Sequence, residues 1–195
     1  LGVDKALAIT TLEARLPGLL EGATRLYYRL GVAPEQDRVM LAALAQARRA
    51  RRSGKDSPGD VLDPAGTLHE LRLIKTGAEL EAMRRAAQLA AEGHVRAMRA
   101  TRAGVREYEL QAEMEYLWRR QGAAREAYES IVGSGPNACV LHYRAGARAL
   151  EDGELVLIDA GCEVDYHAAD ITRTWPVNGR FSPAQRELYE IVLEA

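Results

Sequence analysis

LVLIDAGCEVDYHAADITRTWPVNGRF, residues 155–181, decides how this chain is read. Leu155 to Ile158 is an aliphatic run that predicts a short buried strand. Val164-Asp165 predicts the tip of a turn. Ala168 to Val177, rich in threonine and apolar residues, predicts the returning strand. Opposed residues of an antiparallel pair have a constant sum of numbers, and a tip centred between Val164 and Asp165 pairs Asp159 with Asp170. Directly opposed side chains have Cβ atoms roughly 4.5–5.5 Å apart. Two carboxylates that close repel unless something positive lies between them. A divalent cation such as Mn²⁺, Mg²⁺, Zn²⁺ or Co²⁺ suits such hard oxygen donors. Aspartates beside a turn are also common as solvated turn formers. Weighing against that, four aliphatic residues precede Asp159 and put it at the inner end of a buried strand, where an unpaired carboxylate is costly.

The wider chain has 195 residues, enough for one or two domains. Lysine and arginine number 26 against 28 aspartates and glutamates, a net charge of −2, so nothing points to an electrostatic nucleic-acid binder. The basic cluster Arg48, Arg49, Arg51, Arg52 and Lys55 reads as a solvated helix end favoured by the helix dipole. Cys139 and Cys162 stand in apolar surroundings and read as small core residues of a reducing compartment. With no signal peptide and no apolar run near 18 residues, a soluble cytoplasmic protein is expected. The chain opens on Leu1 and closes inside the helix-like EIVLEA, so a piece of a longer protein is expected.

Two regions are predicted, residues 1–67 and 68–195. In the first, Thr10 or Thr11 caps a helix through Leu20, RLYYRL (25–30) forms a strand, and a helix runs from Ala33 to about Arg52. Residues 53–66, with two prolines and three glycines, read as a loop. In the second, Thr76 and Glu79 form a capping box. It opens a long helix with Leu80, Met83, Ala87, Ala90, Ala91, His94, Val95 and Met98 at helical spacing. Val105–Gln121 makes another helix, with Tyr108, Leu110, Met114 and Leu117 apolar. Short strands follow to Val177, and Ser182-Pro183 opens a last helix. Helices followed by a meandering sheet give an α+β class.

From about Leu68 onward the wording resembles the aminopeptidase P (Xaa-Pro aminopeptidase) group of the pita-bread metallopeptidases, relatives of prolidase, methionine aminopeptidase and creatinase. SIVGSG (130–135), CVLHY (139–143), LIDAGCE (157–163) and DITRTWPVNG (170–179) carry the resemblance. LRLIKTGAELEAMRRAA (71–87) resembles the segment that opens the catalytic domain in this group. The resemblance implies the first half of the pita-bread fold, preceded by the tail of an α/β amino-terminal domain.

It also implies roles. Asp159 and Asp170 would ligate two divalent ions, commonly Mn²⁺, one carboxylate chelating and the other bridging. His142, predicted on a strand, would lie beside the metals and move protons. Tyr128 would set its hydroxyl on a metal-bound aspartate, and Ile131 would line the pocket for the residue before proline. Thr172 and Arg173 read as structural, with bracing of the site as an alternative. His167, His69 and His94 are given no role. Gly133-Ser-Gly135 reads as a turn, because it lacks the lysine and following helix of a phosphate loop. The family's site further needs a histidine and two glutamates from the second half of the fold, so residues 1–195 alone are expected to bind metal weakly and turn nothing over. The implied activity is release of the amino-terminal residue from Xaa-Pro peptides by metal-bound hydroxide, in a protein that binds peptides and forms homo-oligomers. The alternatives are a prolidase and a catalytically silent module that only binds a partner.

Overall fold

The computed structural model describes residue 4 and residues 6–195. The chain separates into two compact units, Leu1–Ile74 and Lys75–Ala195. In the first lie α1 (Leu12–Leu20), β1 (Arg25–Tyr27), α2 (Pro34–Ala50), β2 (Asp60–Leu62) and α3 (Ala65–Leu73). β1 and β2 run parallel, joined through α2. Leu16 and Leu20 of α1 pack with Ala43, Leu44 and Ala47 of α2.

Several expectations for this unit change. Thr11 precedes α1 but does not cap it; its hydroxyl donates to the Ala8 carbonyl at 2.8 Å. Only the first half of RLYYRL pairs as a strand. β2 lies inside the stretch read as loop, and three residues are too few for a periodic signal. The basic cluster does more than face water: Arg51 Nη2 donates to the Ser57 carbonyl (2.8 Å) and Arg48 Nη2 to that of Gly59 (3.3 Å). These guanidinium groups tie the 57–59 loop to the end of α2. The unit runs to Ile74 and includes α3, whereas the sequence reading divides the chain between residues 67 and 68.

The second unit holds α4 (Gly77–Ala100), α5 (Glu107–Arg120), β3 (Arg125–Glu126), β4 (Ile131–Ser134), β5 (Leu155–Ala160), β6 (Cys162–Val164), β7 (His167–Ala168), β8 (Ile171–Pro176) and α6 (Pro183–Glu194). The strands form two antiparallel sheets, ordered β3-β6-β7 and β4-β5-β8. The Thr76 capping box forms as predicted: Thr76 Oγ1 accepts from the Glu79 amide (3.3 Å) and the Glu79 carboxylate from the Thr76 amide (2.7 Å). Ser182 and Gln185 repeat the device at α6. Among the described residues no helix is long and apolar enough to cross a membrane.

The buried face of α4 is not the one its larger side chains mark. Ala86, Leu89, Ala90, Gly93, His94 and Ala97 are buried, while Leu80, Met83, Val95 and Met98 remain about two-fifths exposed. Small residues win because they admit α5 closely. Trp118 lies over Gly93 and donates from Nε1 to the Leu89 carbonyl at 2.8 Å. A Cβ on Gly93 would come within 2.8 Å of Trp118 Cε2. Tyr108 likewise is half exposed, and Leu110, Met114 and Trp118 form the inner face of α5. Val132, Val156, Ile158 and Ala160 complete this core from the sheet.

The hairpin that decides the reading is present, with its tip one residue later than predicted. Asp165 (φ 48°) and Tyr166 (φ 65°) are its central residues, and Val164 pairs with His167. A two-residue turn of this hand needs positive φ at both central positions. Valine, branched at Cβ, resists that region, whereas aspartate tolerates it. The pairing sum therefore moves from 329 to 331: Asp159 faces Thr172, not Asp170. The change is an even number, so Asp159 and Asp170 stay on one face of the hairpin.

Between the two sheets the hairpin is pinched at Gly161. The Ala169 amide donates to the Cys162 carbonyl at 3.0 Å and the Ala127 amide to that of Gly161 at 2.9 Å. The Ala169 backbone presses on Gly161 so closely that a Cβ there would overlap the Ala169 carbonyl oxygen. The pinch ends β5 just past Asp159 and leaves Asp170 in the break between β7 and β8.

Candidate metal centre

Asp159 is the fifth residue of β5, between buried Ile158 and Ala160, and is itself half-buried; Asp170 is exposed. One phenol unites them. Tyr128 Oη lies 2.5 Å from Asp159 Oδ1 and 2.9 Å from Asp170 Oδ1. A tyrosine hydroxyl carries one proton and donates one full hydrogen bond. Two carboxylate oxygens around that single donor leave negative charge in want of a positive partner. Burial, followed by the bonds to Asp159 and Asp170, holds Tyr128 far above the ordinary phenol range, so it stays a donor.

These three side chains line a cavity of about 520 Å³ with Glu129, Ile131, His142, Tyr143 and Arg144. The structure therefore brings together every predicted site residue: Asp159, Asp170, His142, Tyr128 and Ile131. His142 arrives differently from the expectation. It lies in an exposed turn at φ 55°, not on a strand. The residues before it, Gly135–Cys139, fold into a 3-10 turn, which the apolar run in CVLHY did not reveal. Cys139, expected in the core, is exposed there; Cys162 is buried and burial pushes its thiol up to about 11.

Thr172 pairs with Asp159 across the hairpin but is exposed, and Arg173 donates to the Thr172 carbonyl. Neither touches the carboxylates by hydrogen bond. His167 is half-buried beside the tip, its Nδ1 at 2.9 Å from the Asp165 carbonyl. His94 is buried in α4. Sequence reasoning missed the exposed ion pair Glu129–Arg144 (3.0 Å) at the cavity rim, an arrangement with no local sequence signal. It also missed Glu107, a fully buried carboxylate whose place at the start of α5 reads as ordinary first-turn acidity.

Two converging carboxylates on one protonated phenol are a hard, anionic donor set, which fits a divalent cation of oxygen preference. Among the described residues no group of three or more His, Cys, Asp or Glu side chains assembles a metal site.

The model of metallopeptidase family M24 matches residues 81–195. This chain belongs to metallopeptidase family M24. All 195 residues align at 44% identity with Xaa-Pro aminopeptidase of Escherichia coli, covering 44% of that protein. A solved structure, zinc-substituted E. coli aminopeptidase P in complex with product, superposes on the whole chain with a TM-score of 0.93 and is covered to 44%. Human Xaa-Pro dipeptidase is 40% identical over 131 residues, 65% of this chain and 27% of that protein. The M24 chain thus spans less than half the length of the curated relatives it matches. Its mixed helices and sheets agree with part of the pita-bread fold expected from the sequence.

Proposed function

We propose that these residues belong to a metal-dependent aminopeptidase that releases the amino-terminal residue of peptides with proline second, and that Asp159 and Asp170 hold its divalent ions, two Mn²⁺ by preference. The observation that carries this reading is the meeting of both carboxylates on the Tyr128 hydroxyl. Divalent ions, when bound, supply an acidified water and polarise the scissile carbonyl. Tyr128 engages Oδ1 of each carboxylate, which orients the pair and leaves Oδ2 of each to coordinate. His142, at the cavity mouth, gives or takes a proton, a task for which imidazole is suited near neutral pH. Ile131 offers an apolar wall to the side chain preceding proline. Similarity over the whole chain favours the aminopeptidase over the dipeptidase. Two free cysteines accord with a cytoplasmic setting.

The test is metal analysis and peptide cleavage on the full-length gene product. Mn²⁺-dependent cleavage of Xaa-Pro-Pro tripeptides is expected; cleavage of Xaa-Pro dipeptides alone would make it a prolidase, and no metal-dependent cleavage would leave a binding module. Residues 1–195 in isolation should bind Mn²⁺ weakly by calorimetry and cleave neither peptide.

Tyr128→Phe removes the hydroxyl while keeping the ring. Metal affinity or kcat should fall roughly 10- to 100-fold, the usual cost of losing a partner that orients a ligand. Metal titration beside steady-state kinetics reads both, and an unchanged enzyme would show the phenol to be mere packing.

A further inference from the structure

Glu107 has no exposed surface, yet it is a carboxylate. A buried charge is tolerated only when hydrogen bonds replace its water. Glu107 receives five. The Ser134 amide (2.8 Å), the Ser134 hydroxyl (2.8 Å) and Asn137 Nδ2 (3.0 Å) donate to Oε1. The Tyr143 hydroxyl (2.9 Å) and the Gly146 amide (3.1 Å) donate to Oε2. Burial alone would raise the carboxyl, but the bonds from Asn137, Ser134 and Tyr143 outweigh it and hold it below the ordinary range. At neutral pH it is charged, at the amino-terminal end of α5 where the helix dipole favours a negative group.

Every donor comes from one segment, 134–146, which leaves β4 and carries His142 at its far side. His142 occupies left-handed backbone space, which a residue with a Cβ adopts at a cost and only under restraint. The restraint is next door: Tyr143 anchors to Glu107 and also accepts from Asn137 Nδ2 at 2.8 Å. Glu107 does not line the cavity that His142 shares with Asp159 and Asp170.

We propose that Glu107 is the positioning residue of this site: it gathers the 134–146 segment onto one carboxylate and so fixes His142 over the carboxylate pair. The catalytic consequence rests on the aminopeptidase reading; the positioning itself does not.

The experiment uses the full-length gene product with Glu107→Gln and, because a buried substitution can prevent folding, Tyr143→Phe, which deletes one hydroxyl only. Hydrogen exchange is followed in peptides covering 137–146 and 155–160. The inference expects exchange in the first to rise about tenfold or more in either variant that folds, with the second unchanged. A displacement of about 1 Å costs on the order of 100-fold in rate. Accordingly, kcat on an Xaa-Pro-Pro peptide should fall 10- to 100-fold in Tyr143→Phe with bound metal retained. In a His142→Ala background the same change should add almost nothing, because both act through one imidazole. Unchanged exchange in 137–146, or an equal rise in both peptides, would overturn the inference. A full multiplicative loss on top of His142→Ala would overturn it too. If the unsubstituted protein cleaves no Xaa-Pro peptide, the functional reading fails while the exchange result still judges the positioning.

Discussion

On the proposed reading, Asp159→Asn or Asp170→Asn in the full-length gene product should lower kcat/KM on an Xaa-Pro-Pro peptide by about three orders of magnitude, because an ion worth several kcal/mol to the transition state would be lost or misplaced. Asparagine keeps the shape of each side chain and removes its charge, so the loss is electrostatic. The Tyr128 hydroxyl retains an acceptor in either variant, since it contacts both residues. The fold should therefore survive, and in the presence of a chelator its thermal midpoint should be no lower than the parent's, because a like-charge contact has been relieved; with metal present the parent gains the stability of the bound ions and the variants gain less. Elemental analysis after gel filtration should find less bound metal in both variants. Parental kinetics with either asparagine would remove the carboxylate pair from the mechanism.

Gly161→Ala carries the second large effect, and it falls on stability. The added methyl would overlap the Ala169 carbonyl oxygen and come within 2.5 Å of its carbon. Both are backbone, so no side-chain rotation relieves the clash. Forcing apart strands that bond across this point should cost about 3 kcal/mol or more, at the upper end of overpacking. For a protein of this size that is a fall of roughly 6–12 °C in Tm. Because the pinch sits between Asp159 and Asp170, metal affinity should weaken in the folded fraction as well. Calorimetric melting with and without Mn²⁺ measures both, and a midpoint within 1–2 °C of the parent's would mean the hairpin has slack there.

Much of this was legible before any coordinates. That Asp159 and Asp170 share one face of the hairpin was legible because a strand's period is two; their direct opposition was not, since the tip lies one residue later and Asp159 faces Thr172. The capping box at Thr76 and the helix start at Ser182-Pro183 were legible because they are local, each closing within four residues. What stayed hidden was non-local or set by steric room. Nothing in EYELQAEME marks Glu107 as buried, since its donors lie 27 to 39 residues away. CVLHY is apolar enough to read as a strand, yet its histidine sits in a turn beside Tyr143, whose hydroxyl donates to that distant carboxylate. The inner face of α4 was misjudged for a related reason: a tryptophan 25 places along the chain chose the glycine and alanines over the larger side chains.

The two-residue tip at Asp165-Tyr166 limits how this hairpin can drift over evolutionary time. Two extra residues lengthen both arms by one and keep the aspartates facing the same way. A single extra residue forces a choice: surrender the tight turn for a looser one, or slip the ladder and swing one aspartate to the far side. Length variation here is therefore expected to come in even steps, and an odd one should be met together with a changed turn.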